Sequence, residues 1–318
     1  MTGTFTRKKD QVIWAYYPVT VITAIFCCIL WGSAAPAIKI AYNLFQISPD
    51  DTGSRILLAG ARFTLAGLMT IVFASIRSRK LIRPRKGSWK YILVLGLIQT
   101  VGQYYFFFMA LANASSVRCT IINAASNFFT ILLAALVFHL EKMTFRKIAG
   151  CVVGFAGILL ILGGIGSFLE AGGFSFAGEG AVLLAATFYA FSGCLIKIFS
   201  EYEDPVVLSG YQFVFGGIIL IVIGRAMGGA LHFTGSSCFL NLLYMGFISA
   251  GAYTLWGILL KYNPVSKVSI LGFVNPVMGV ILSALLLGEN REAFSMTGLL
   301  ALVLVSLGIM IVNTGNHT

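Results

Sequence analysis

Charge is scarce in this chain. Asp, Glu, Lys and Arg make up 10% of its 318 residues, against about 25% in an ordinary soluble domain. Acids are the scarcer sign, 11 against 22 basic residues, and all fall in expected loops or at expected helix ends. Histidine is rare too: His139, His232 and His317 stand far apart, near membrane edges or in the tail. HExxH, GxSxG and Walker-type loops are absent. A hydrolase or transferase needs a nucleophile, a base or a metal cluster. These residues assemble none, so the chain reads as a non-enzyme with no metal and no cofactor. The cysteines (Cys27, Cys28, Cys119, Cys151, Cys194 and Cys238) show no metal-ligand spacing and read as small apolar residues. No cleavable signal peptide is expected, because the first apolar stretch is too long and no small-residue cleavage site follows it.

What is abundant is apolar sequence: 58% of the chain is hydrophobic and its mean hydropathy is +0.92. Runs of about 20 apolar residues read as membrane helices. Ten such runs span 17–43, 54–76, 89–112, 115–139, 145–166, 177–199, 205–225, 237–260, 265–288 and 294–313. The expected fold is an all-α membrane protein of ten transmembrane helices, with little left for a soluble domain. The longest polar connection runs from 77 to 90.

The net charge of +11 is unevenly placed. Arg7, Lys8 and Lys9 precede the first helix, and Arg77, Arg79, Lys80, Arg83, Arg85, Lys86 and Lys90 lie between the second and third. Lys142, Arg146 and Lys147 lie between the fourth and fifth. All three clusters fall on one side of an alternating topology. That is the positive-inside pattern, and it places both termini in the cytoplasm of a multi-pass protein of the cell membrane. The opposite loops hold few cations, chiefly Arg55, Arg225 and Arg291. The basic surplus therefore reports orientation and contact with membrane lipid, not binding of nucleic acid.

The chain also repeats. Glu141 and Glu289 each end an apolar helix, 148 residues apart, and at the same offset Asn127 matches Asn275, Val117 matches Val265 and Leu111 matches Leu259. Ile38-Lys39-Ile40 recurs as Ile196-Lys197-Ile198, and Gly60, Phe63 and Gly67 recur as Gly210, Phe213 and Gly217. The offset drifts from 158 through 150 to 148, as short loop insertions and deletions would cause. The expected halves are 1–166 and 167–318. Five helices per half is an odd number, so the second copy is inverted in the bilayer. Inverted five-helix repeats are a mark of alternating-access transporters.

Several local patterns resemble one family. Trp31-Gly32-Ser33-Ala34-Ala35-Pro36 followed by Lys39 looks like the first-helix signature of the drug/metabolite transporter (DMT) superfamily, EamA type. Arg62-Phe63 with Gly67 resembles its second-helix element. Ala110-Leu111 with Ala114-Ser115-Ser116 resembles its turn from the third helix to the fourth. Asn275-Pro276 with Gly288-Glu289 resembles the element that closes its second repeat. The resemblance covers about residues 17–313. It implies a carrier for small polar metabolites, amino acids or related organic ions, working by alternating access with one half rocking on the other. It also implies that the fifth and tenth helices are peripheral and available to pack against a second copy as a homodimer. The chain departs from the pattern at Phe128, where proline is usual, at Leu140, where glycine is usual, and at Gln212, where the repeat would carry arginine. Without proline, the fourth helix is expected to be straighter than the ninth. Close helix contacts are expected at Gly32, Gly102, Gly193 and Gly251.

Polar groups in hydrocarbon are costly unless they face a cavity or one another. By position along their helices, Gln103, Asn123, Asn127, Gln212 and Asn275 lie near mid-membrane, as do Trp31, Tyr189 and Tyr211; Tyr104, Tyr253 and Trp256 lie within about two turns. Amides supply directional hydrogen bonds and rings supply stacking or cation–π surface, a plausible lining for a small solute. The other reading is interhelical glue, since amides also bridge membrane helices. Arg62 sits about eight residues from the end of its helix, roughly 12 Å deep, and is too deep to snorkel easily. It would pair with a substrate anion or with helix-terminal carbonyls. No acid lies clearly mid-membrane, so facilitated diffusion, exchange or coupling through the solute's own charge is expected rather than a carboxylate proton relay. Two other functions fit the residues. One is import of a quaternary ammonium held by Trp31, Tyr189, Tyr253 and Trp256. The other is a non-transporting scaffold or receptor, which would have no solvated central cavity.

Overall fold

The structure is a computed structural model that describes residues 13–48, 50–162, 174–263, 268 and 270–313. Those residues are helical and loop, with no strand among them. The helices are α1 (Tyr17–Leu44), α2 (Thr52–Ser78), α3 (Lys86–Asn113), α4 (Ser116–Leu136), α5 (Phe145–Ile161), α6 (Phe176–Phe199), α7 (Pro205–Ala226), α8 (Ser236–Tyr262), α9 (Val274–Leu287) and α10 (Met296–Asn313). Seven of them, α1–α4 and α6–α8, are long and apolar enough to cross a bilayer; α5, α9 and α10 are shorter at 17, 14 and 18 residues. The amino-terminal cation cluster, Val265, Lys267 and the junction at 166/167 lie outside the described residues.

Short polar side chains start these helices. Asp51, Ser115, Thr144 and Asp204 each accept a backbone N–H from the first turn of α2, α4, α5 and α7. Pro205 follows Asp204 at the first helical position, where its missing N–H costs nothing. Large apolar side chains such as Phe73, Ile76, Val152, Val222 and Leu285 point outward. On a multi-pass membrane protein that surface faces lipid, so the inside is packed by small residues and sparse polar groups instead.

The tightest pairing joins α2 to α7. Gly53, Gly60 and Gly67 face Gly224, Gly217 and Gly210 in turn, so the two helices run antiparallel. A Cβ added at Gly60 would lie 2.5 Å from the Ile221 nitrogen, and one at Gly217 would lie 2.5 Å from the Thr64 nitrogen. Backbones this close leave no room for side chains. The pair α5 and α10 meets in the same manner, with Gly308 against Gly154 and Gly157 against Ala301. Gly32 and Gly102 also make the expected close contacts, against Met278–Gly279 and the Phe188 ring. Gly193 and Gly251 do not: their nearest neighbours would stand 3.9 and 3.5 Å from an added Cβ, ordinary contact distances.

Two helices are interrupted near their middles, and a third opens on a short turn. In α1 the break is at Ser33, because Pro36 cannot donate a backbone bond to Gly32 and its ring crowds that carbonyl. The α9 segment begins as a single 3₁₀ turn over Ile270–Phe273. The fourth helix, expected to be straighter than the ninth for want of proline, is interrupted at Ala124. Its cause is Asn127, whose side-chain amide donates to the Ala124 carbonyl at 3.2 Å beside a backbone i→i−3 bond from Asn127 at 3.1 Å. A short amide competing for local carbonyls disrupts a helix without any proline. Phe128 is fully buried and its ring lies against Gly154 of α5.

Candidate functional site

The interruptions in α1, α4 and the start of α9 surround one central cavity of about 60 Å³. That is room for a few waters, well below the 300–1,000 Å³ of typical ligand pockets. Its walls come from α1 (Trp31), α3 (Gln103, Tyr104), α4 (Asn123, Asn127), α6 (Tyr189), α8 (Tyr253, Trp256) and α9 (Asn275). Nine of the twelve residues singled out from the sequence thus meet at one place.

Aromatic side chains give the cavity its shape. Trp31 meets Trp256, Tyr253 and Tyr189 edge-on at ring distances of 5.0, 5.1 and 6.2 Å. The Tyr104 and Tyr253 hydroxyls are hydrogen-bonded to one another, and the Gln103 amide nitrogen donates to the Tyr253 hydroxyl at 3.1 Å. Three buried polar atoms on these wall residues have no partner among the described residues: the Trp31 indole N–H, the Gln103 Oε1 and the Asn123 Oδ1. An unmet buried polar group costs about 1–3 kcal/mol. One donor and two acceptors thus lie unmatched on residues that line a shared space.

The other three residues lie elsewhere. Gln212 donates to the Gln99 side-chain oxygen at 2.8 Å and accepts from Thr100 at 2.6 Å, while Gln99 donates to Ser192 at 3.0 Å. That closed chain ties α3, α6 and α7 together, so Gln212 is interhelical glue. Tyr211 was expected at mid-depth. Its hydroxyl instead donates to the Ile82 carbonyl at 2.9 Å, and its ring meets Trp89, because the 79–85 connection folds back beside it. Arg62 is fully buried behind Tyr104, with its Nε donating to Ser249 at 3.0 Å.

Sequence reasoning missed Thr120 and Ser126, which also line the cavity. Thr120 lies three residues before Asn123 and seven before Asn127, on the same helical face, so that phase was available as a signal. A smaller space of about 20 Å³ shares Asn127, Tyr189, Tyr253 and Trp256 and runs on to Gln99 and Leu260. At the opposite end lies a vestibule of about 340 Å³ lined by Lys39, Tyr42, Asn43, Arg55 and Glu289, among others. It opens at the start of α2, whereas the basic 79–90 connection sits at that helix's other end.

The ion pairs hold helix ends. Lys39 pairs with Glu289 at 3.3 Å, and Glu289 also accepts the backbone N–H groups of Ser116 and Val117 at 3.2 and 2.9 Å. A carboxylate on the first turn of α4 is stabilised by the exposed donors and dipole there. Glu141 pairs with Lys147 at 2.7 Å, and buried Glu179 with Arg118 at 3.0 Å. Lys197 donates to the carbonyls of Leu260 and Asn263 at the end of α8, at 2.9 and 3.4 Å.

Together, the long apolar helices and the small polar cavity at their centre describe a multi-pass integral membrane protein. The EamA-like transporter family model matches residues 18–163 and 176–314, and the chain belongs to that family, within the drug/metabolite transporter superfamily. It is similar to a protein of Salmonella typhimurium named a probable amino-acid metabolite efflux pump, 28% identical over 91% of this chain and 92% of that one. A protein of Escherichia coli with the same name is 28% identical over 91% of this chain and 93% of its own. An uncharacterized transporter of Archaeoglobus fulgidus is 27% identical over 89% and 94%. A solved structure at 20% identity shares the fold with a TM-score of 0.67, covering 94% of this chain and 98% of that one.

Proposed function

We propose that this membrane transporter moves a small polar metabolite, an amino acid or related organic ion, across the cell membrane by alternating access through the central cavity. The observation that carries the reading is the set of three unpartnered polar atoms on the walls of one cavity, set among aromatic rings. The names of the Salmonella and Escherichia relatives support the solute class.

Geometry supports two inverted repeats, 1–166 and 167–318. Residues matched in sequence contact one another reciprocally: Gly60 faces Gly217 while Gly67 faces Gly210, across two antiparallel helices. The interruption at Ala124 in α4 has its counterpart at Gly272, 148 residues on, in the turn that opens α9. Broken helices meeting at mid-membrane are the usual way such repeats build a binding site. With the 79–90 connection in the cytoplasm, the vestibule faces outward and the smaller space leads inward, and both termini are cytoplasmic.

The quaternary-ammonium reading is weaker. Trp31 meets the other three rings edge-on, so the rings fill the space that a cation would need. A non-transporting scaffold would not hold open polar valences in its centre.

Cysteine labelling in intact cells tests the topology. The six native cysteines are buried. Asn43→Cys, exposed in the vestibule, should react with an impermeant thiol reagent from outside, and Lys86→Cys should not. A cytoplasmic reagent in inverted vesicles should give the reverse. A metabolite panel in proteoliposomes then asks for flux. Labelling of Lys86→Cys from outside would invert the topology, and absence of flux for every polar metabolite would sink the transport reading.

A further inference from the structure

Arg62 has a position that packing does not explain. It is 0% exposed, and among the described residues its NH1 and NH2 nitrogens have no hydrogen-bond partner while its Nε donates to Ser249. Among the described residues no ion pair includes it, although Lys39, Arg85, Arg118, Lys147 and Lys261 all find carboxylates. A guanidinium does not lose its proton in proteins, so the charge is permanent. The Phe63 and Tyr104 rings lie 5.2 and 5.7 Å from its Cζ and offset part of the burial cost through their π faces. They leave the two terminal nitrogens open.

The surroundings connect this charge to the solute path. Tyr104, whose ring lies against Arg62, lines the central cavity and is latched by its hydroxyl to Tyr253. Seven residues earlier on the same face of α2, Arg55 lines the outer vestibule and lies 5.9 Å from the Tyr42 ring. Two cations thus stand two turns apart along one helix, about 10 Å at 1.5 Å per residue, one at the mouth and one beside the centre. Nearby Lys39 is already neutralised by Glu289.

Resting on the transporter reading above, we propose that the transported solute carries a carboxylate and that Arg62 is the residue that selects for it. Parting of the Tyr104–Tyr253 latch would let the two carboxylate oxygens take the two open nitrogens. That planar, two-pronged match favours a guanidinium over any single-point cation. Arg55 meets the anion first and Arg62 holds it.

Two measurements on the full chain in lipid nanodiscs test this. The first needs no ligand. A buried charge kept for a ligand is a liability in the free protein, so Arg62→Gln should melt at the same temperature as wild type or higher. The second is thermal stabilisation by matched probes: L-leucine, L-phenylalanine and benzoate against L-leucinamide, L-phenylalaninamide and benzamide, with phenyl phosphate as another anion. Wild type should bind acids at least about tenfold more tightly than their amides, and Arg62→Gln should bring that ratio close to unity. Arg62→Lys keeps the charge without the fork and should fall between them, so the series survives if Arg62→Gln folds poorly. A marked fall in melting temperature on Arg62→Gln with the acid preference intact would make Arg62 structural and overturn the proposal. Equal binding of acids and amides by wild type would overturn it too, while leaving a transporter of neutral solutes standing. Tighter binding of phenyl phosphate than of benzoate would move the selection from carboxylate to phosphate, and a panel silent throughout would count against both the anion and Arg62.

Discussion

Gln99 and Gln103 stand one turn apart on α3, alike in type and burial, and they do opposite things. Gln99 uses both ends of its amide, donating to Ser192 and accepting from Gln212. Gln103, which lines the cavity, uses one end on Tyr253 and leaves its buried oxygen without a partner among the described residues. The difference lies in what stands opposite. Around Gln99 the facing helices supply amides and hydroxyls at hydrogen-bond distance, and the network closes on itself. Around Gln103 the facing surfaces recede into a cavity, and the valence stays available. A closed network contributes to stability, and an open one stores binding capacity at a cost to stability.

Breaking the closed side should give the largest effect. Gln212→Ala orphans the Gln99 oxygen and the Thr100 hydroxyl, at about 1–3 kcal/mol for each buried group left unmatched. Differential scanning of purified protein should show a clear fall in melting temperature, with solute affinity nearly unchanged in the protein that remains folded. A variant that keeps its stability and loses its solute would place Gln212 in the site and dissolve the contrast.

On the open side the pattern should reverse. Asn123→Ala removes an acceptor that has no protein partner, so thermal stability should hold or rise slightly. Solute affinity should drop by about 1–2 kcal/mol, roughly a factor of five to thirty. If the variant instead melts early and binds normally, the Asn123 oxygen has a structural partner in another conformation. Trp31→Phe should act more weakly in the same sense. It keeps an aromatic ring against Tyr253 and Trp256 and removes only the indole N–H, so a loss of about 1 kcal/mol in affinity is expected. Equilibrium binding of a transported solute to both variants separates the two cases.

The contrast also shows what the sequence could carry. Helix positions were legible because apolar runs are long. The phase of α4 was legible as well: Asn123 and Asn127 share a face, and the structure puts both on the cavity. Depth along a helix, however, gives height and not direction. Tyr211 and Gln212 are at a suitable height, yet one reaches the 79–85 connection and the other reaches α3. Whether an amide is satisfied depends on side chains more than a hundred residues away, which periodicity does not report. The break in α4 was hidden for a different reason: it comes from Asn127 bonding its own backbone, and a missing proline carries no sign of that.

The smallest effect expected lies at the membrane edge, where a third polar group behaves like Gln99. Glu203, between α6 and α7, is buried, which by itself raises its pKa. Against that, the backbone N–H groups of Arg85 and Asp204 donate to its carboxylate at 2.8 and 2.9 Å, and Ser88 and the Arg85 charge add to them. The donors prevail and hold the carboxyl below the usual range. A carboxyl whose folded pKa is depressed contributes stability above its unfolded pKa, near 4.3 for Glu, and loses it as pH falls through the lower folded value. The contribution should therefore be whole at pH 7 and fade only below about pH 4. Many groups titrate there, so the informative quantity is the difference in melting temperature between wild type and Glu203→Gln. That difference should be small and constant from pH 7 to pH 5 and should shrink on further acidification. The 79–85 connection should loosen in parallel, read as faster hydrogen exchange at Arg85. A difference that grows as pH falls would mean that protonated Glu203 is the better partner. The closed networks of this protein would then include one that tightens on protonation.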